Sequence, residues 1–114
     1  MKLNNDAVPA TVEESVKMVT EALEPRDWEA LRNSPPTEFY YSVGIWLRDH
    51  WSILEEGTIL RNSFTALGVS HPDDVVGYLL AVISCRARGL PFDQAYFVKS
   101  VQARLETKIG KPLK

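Results

Sequence analysis

A chain of 114 residues, 45% apolar and 25% charged, has the composition of one ordinary globular domain. Folding at that size buries roughly 65% of the unfolded chain's surface, so a core forms without a disulfide or a structural metal, and collagen-like, mucin-like, disordered and disulfide-scaffold classes are excluded. The net charge of -2 lacks the basic excess of a dedicated nucleic-acid binder, but it is unevenly spread: residues 1–57 hold 5 Lys/Arg and 11 Asp/Glu, a balance of -6, whereas residues 58–114 hold 8 and 4, a balance of +4.

Residues 1–10 carry no periodic apolar pattern and no signal-peptide core, and read as a flexible N-terminal segment. Thr11-Val12-Glu13-Glu14 is a capping box, with Val12, Val16, Val19 and Leu23 at helical spacing behind it. Pro25 separates off a short second helix around residues 27–31, with Trp28 and Leu31 inward. Ser34-Pro35-Pro36 is a rigid break. A third helix is predicted from Thr37 to about Leu54, apolar almost all round. Phe39, Val43, Trp46, His50 and Leu54 share one face, and Tyr40, Gly44, Leu47 and Trp51 share the next. That breadth predicts a central helix, with Trp46 in the main core and His50 on the same side.

Thr58 opens a fourth helix with Leu60, Phe64 and Leu67 inward and Gly68 as a left-handed cap. His71-Pro72-Asp73-Asp74 opens a fifth, with proline at the first position and two acids at the positive end of the helix dipole. Val76, Leu79, Leu80 and Ile83 face the core there, beside a strip of Gly77, Ala81 and Ser84. Leu90-Pro91-Phe92-Asp93 opens a sixth helix with Val98, Val101, Leu105 and Ile109 on one stripe, and residues 111–114 form a tail. The predicted fold is all-α, a single domain over residues 11–110 with five longer helices and one short one, neighbours running nearly antiparallel.

Three clusters are candidates for function. In Arg48-Asp49-His50-Trp51, Arg48 and His50 lie about 200° apart around a helix and face different surroundings. His50 reads as a hydrogen-bonded core histidine. Arg48 shares a side with Tyr41 and Trp51, and two readings follow: an ion pair with Asp73 or Asp74, or an anion site with the two rings as stacking platforms. In His71-Pro72-Asp73-Asp74 the residue types suit a metal, but successive helical positions diverge and no His-x-x-x-His pair supports them. The same two acids oppose phosphate at that helix start. Arg104, Lys108 and Lys111 form a basic strip, either a solvated flank or a contact for an acidic partner. No P-loop, dinucleotide fingerprint or serine-nucleophile elbow is present, so no catalytic residue, metal or cofactor is assigned. Cys85, the one cysteine, reads as a structural thiol in a reducing compartment.

The run from Gly44 to Trp51, then Leu60, Phe64 and Gly68, then His71-Pro72-Asp73-Asp74, resembles a small bacterial domain family of unknown function. Its pattern is Gly-x-Trp-x-Arg-Asn-x-Trp, an apolar segment and His-Pro-Asp-Asp, and the resemblance covers residues 37–85. Asp49 stands where the pattern has Asn, so an amide hydrogen bond there does not carry over. The resemblance implies a compact helical domain and a link between Arg48 and the His71–Asp74 turn, with no activity attached.

The function expected is a non-catalytic, cytoplasmic binding protein acting through protein–protein contacts, of inhibitor, immunity or accessory-subunit type. The alternative is a small-molecule or nucleotide-binding domain centred on Tyr41, Arg48, Trp51 and His71. A hydrolase using His71 with Asp73 or Asp74 is a third reading. No membrane partner is expected. The charge polarity is compatible with a homo-oligomer in which the basic strip meets Glu13, Glu14, Glu21 and Glu24.

Overall fold

The computed structural model describes residues 7–108, and the side chains of all of these except Pro36 and residues 105–108. The expectations for residues 1–6, Leu105, Lys108, Ile109, Lys111 and the tail lie outside the described side chains. Among the described residues the fold is all-α. Helix α1 is Val12–Ala22, α2 is Pro25–Asn33, and a composite segment follows: a 3₁₀ turn Pro36–Phe39, a π turn Tyr40–Gly44 and a short helix α3, Ile45–His50. Helices α4 (Ile59–Leu67), α5 (Pro72–Ala87) and α6 (Gln94–Lys108) complete it.

Local chemistry sets most of these boundaries. Thr11 caps α1 by accepting the Glu14 N–H at 3.1 Å. Glu14 returns its carboxylate to the Ala10 N–H rather than to that of Thr11, and Pro9 is buried, so the ordered unit begins before residue 11. Glu24 and Asp27 form a reciprocal box on α2, which is longer at both ends than the predicted short helix. Thr58 caps α4 through the Arg61 N–H, and Gly68 closes it at φ 106°. His71 caps α5, its Nδ1 accepting the Asp73 N–H at 3.1 Å.

The central element is α5, not the third segment. Val75, Val76, Tyr78, Leu79, Leu80, Val82 and Ile83 are all buried, because α1, α2 and the composite segment pack around α5 and Phe97 of α6 meets Tyr78 edge-on. The predicted continuous helix over residues 37–54 does not form. The π turn inserts an extra residue into the helical count, and it brings Gly44 so near α5 that a Cβ there would lie 3.0 Å from Val76. The segment then ends at His50, and Ser52 turns the chain at φ 53°. As a result the two predicted faces exchange roles. Leu47 and Trp51 are fully buried, whereas Trp46 is half-buried and His50 and Leu54 are exposed. Trp46 therefore flanks the core rather than filling it, and His50 stacks on it at 4.0 Å between ring centres. His50 does make the expected hydrogen bond, from Nδ1 to the Trp46 carbonyl at 3.0 Å, but in an exposed position.

Candidate functional site

The start of α5 and the middle of α6 enclose a cleft of about 470 Å³. His71, Asp73, Asp74 and Gly77 line one wall, and Phe97, Ser100, Val101 and Arg104 line the other. This cleft joins residues the sequence assigned to two separate clusters. Arg104 pairs with Asp74 Oδ1 across it. The Asp74 side chain is only 8% exposed, and its Oδ2 has no hydrogen-bond partner among the described residues. A buried carboxylate needs such a cation to offset its lost hydration.

Asp73 is held from the other flank. The Tyr40 hydroxyl donates to its Oδ1 at 2.7 Å. This bond is the largest cause of a raised Tyr40 pKa, with burial and the Asp73 charge adding to it and the Arg48 guanidinium opposing. The Arg48 guanidinium bonds to the neighbouring Asp49 at 3.2 Å, which raises its own pKa. The predicted ion pair from Arg48 to Asp73 or Asp74 is thus absent. Its place is taken by Arg104 on Asp74 and by Tyr40 on Asp73: the π turn begins at Tyr40, and its extra residue changes the angular position of Arg48 relative to an unbroken helix. Arg48 is linked to that turn only through Tyr40, whose hydroxyl feels both charges.

The small-molecule centre expected at Tyr41, Arg48, Trp51 and His71 is not assembled. Trp51 is 1% exposed and cannot offer a stacking face, whereas Tyr41 is 81% exposed. The hydrolytic pairing is not assembled either. His71 Nδ1 spends its lone pair on the Asp73 N–H, and the Asp73 carboxylate lies 4.0 Å from it and accepts from Tyr40. Among the described residues no three His, Cys, Asp or Glu side chains are placed to hold a metal.

Tyr41 instead borders an apolar notch of about 260 Å³ with Thr37, Tyr40, Gly77 and Leu80. Gly77 lines both the notch and the charged cleft, so the two meet over one bare position of α5. Sequence reading placed Gly77 in a strip for close helix approach. A Cβ there would in fact meet only Phe97, at 3.9 Å. Tyr40, Phe97 and Ser100 were missed, since nothing local marks a residue whose partner is 33 positions away.

No single helix among the described residues is long and apolar enough to cross a membrane. The apolar α4–α5 pair bends by 76° at its link. No curated protein and no solved structure matches the chain. A family model does match, over residues 8–86, which takes in α1 to all but the last residue of α5 and leaves α6 outside; the chain belongs to that family, described as a domain of unknown function, DUF6794.

Proposed function

We propose that the chain is a non-catalytic binding domain that recognises a protein partner through the groove over Gly77, as a cytoplasmic inhibitor or accessory subunit of a bacterial cell. The observation that carries this reading is the junction of two unlike surfaces at one glycine. An apolar notch edged by the exposed Tyr41 ring runs into a cleft walled by Asp73, Asp74 and Arg104. A polypeptide segment supplies that combination, an apolar side chain followed by a polar one, and exposed tyrosine is a favoured interface anchor. The single unpaired Cys85 supports a reducing compartment.

The test is site-specific photo-crosslinking in the native host with a photoreactive residue at Tyr41. One discrete adduct is expected. Gly77→Leu, which fills the groove, abolishes it, while Gly77→Ala preserves both the fold and the adduct. Adducts that are equally abundant from an exposed position on α2 such as Glu29, or that are indifferent to Gly77→Leu, refute the reading.

A further inference from the structure

Arg61 is the most deeply buried cation among the described side chains, 6% exposed, and no carboxylate among the described residues pairs with it. Its guanidinium is held by three backbone carbonyls: Nη1 donates to Ile53 at 2.6 Å and to Glu55 at 3.4 Å, and Nη2 donates to Ser70 at 2.5 Å. A guanidinium has five N–H bonds. Three acceptors leave two without one: Nε–H, which is buried and unpartnered, and the second hydrogen on Nη2. Carbonyl dipoles fix the group in place but leave its positive charge without a counter-charge, a costly arrangement in a protein interior.

Arg61 lines a polar cleft of about 430 Å³ at the α4–α5 corner, together with Asn62, Thr65, Ser70 and His71. These residues carry donors. Thr65 and Ser70 have hydroxyls and Asn62 has an amide NH₂. His71 adds a further one: because Nδ1 accepts the Asp73 N–H, the neutral ring carries its proton on Nε2. Neither of the acids that oppose an anion at the start of α5 lines this cleft: Asp73, 4.0 Å from the His71 ring, and Asp74 line the adjoining one and are engaged by Tyr40 and Arg104. Glu56, exposed, is the one carboxylate on the lining.

We infer that this corner is a binding site for a compact oxyanion, a phosphate or the phosphoryl group of a phosphomonoester, held by the uncompensated charge and the remaining Nη2 hydrogen of Arg61 together with the donors of Asn62, Thr65, Ser70 and His71, while the buried Nε–H reports on its arrival. Charge-assisted bonds from a guanidinium to such a group are strong and geometrically selective. The site differs from the Gly77 groove in its lining, and the two clefts adjoin at His71, which borders both.

The experiment uses the full chain, labelled with ¹⁵N and titrated at constant ionic strength with inorganic phosphate, O-phosphoserine and AMP. The readout is the Arg61 Nε–H resonance, which a purely structural clip would not move. A saturable shift there, shared by the Asn62 and Thr65 amides, is expected. Glu56→Gln should tighten binding about threefold by removing one exposed like charge, and Asn62→Ala should weaken it; both positions are exposed and leave the carbonyl clip intact. Equal affinity for the three probes assigns the phosphoryl group alone. Preference for AMP assigns a nucleotide, and preference for O-phosphoserine assigns a phosphorylated peptide. An unmoved Arg61 Nε–H, or a non-saturating shift of the same size at the exposed Arg86 and Arg88, overturns the proposal.

Discussion

Tyr40 holds the composite segment to the start of α5 with one hydrogen bond, and that bond makes it sensitive to alkali. Donation to Asp73 raises the phenol's pKa in the folded state. A raised folded value means that the bond's contribution is complete below the unfolded value of about 10 and is lost as pH rises through the folded value. Tyr40→Phe should therefore cost about 0.5–1.5 kcal/mol at neutral pH, the usual net worth of such a bond. The gap to wild type should shrink as pH climbs above 10, and a late-ionising component should vanish from the phenolate absorbance titration. A gap that stays constant through the alkaline range would show that the bond is not what Tyr40 contributes. At this scale the sequence was partly legible. His71, Asp73, Asp74 and Arg104 were all singled out and do share a cleft. Their partners were not legible, because pairing Arg48 with the acids assumed an unbroken helix, and one inserted residue turns a side chain by about 100°.

The elements divide in the same way. Helices α1 and α4 were legible because each begins on a side-chain cap and keeps one apolar stripe, and α5 because His71-Pro72-Asp73-Asp74 marks its start. The composite segment was not, because a π turn and a serine at positive φ leave no composition signal. The centrality of α5 was also hidden, since the broad apolar surface of residues 37–54 pointed to that segment as the hub. Gly68 shows how an element boundary carries tertiary weight. It needs a left-handed φ of 106°, and a Cβ there would lie 2.8 Å from Val98 and 3.2 Å from Gln102, both on α6. Gly68→Ala should cost about 1–2 kcal/mol for the backbone alone. It should also lift α6, so that hydrogen exchange of the α6 amides accelerates more than that of α1. Uniform acceleration would mean that α6 and the core open together. Ser52→Gly is the converse case: relief of a strained αL serine should gain about 1 kcal/mol in thermal melting.

On the scale of the whole molecule, the imbalance of -6 against +4 does not give two free poles. The acidic helix α1 and the charge-balanced helix α2 pack directly on α5, and arginines of the basic half are spent within the chain. Arg61 clasps three carbonyls, Arg86 reaches Thr20 on α1, Arg88 donates to the Ser34 carbonyl at 2.8 Å, and Arg104 neutralises Asp74. Arg104, although 59% exposed, is thus more than the charge of a solvated flank. It is the bolt that fastens α6, the element outside the family match, onto the start of α5. Arg104→Glu sets a second carboxylate against one that is already buried. Breaking a buried pair costs about 3–5 kcal/mol, and because Arg104 itself is 59% exposed the loss here should sit lower, at about 2–4 kcal/mol. For a domain of this length that is a fall of roughly 8–15 °C in Tm. Lys99→Glu changes the net charge by the same amount at an exposed site on the same helix and should stay within about 0.5 kcal/mol of wild type. Asp74→Asn should recover part of the Arg104→Glu loss, since it removes the repulsion while keeping the side chain's shape. If Arg104→Glu and Lys99→Glu melt alike, net charge alone governs stability and the bolt does not exist. If only Arg104→Glu melts early and Asp74→Asn relieves it, one ion pair fixes α6 to the domain and thereby shapes the cleft between them.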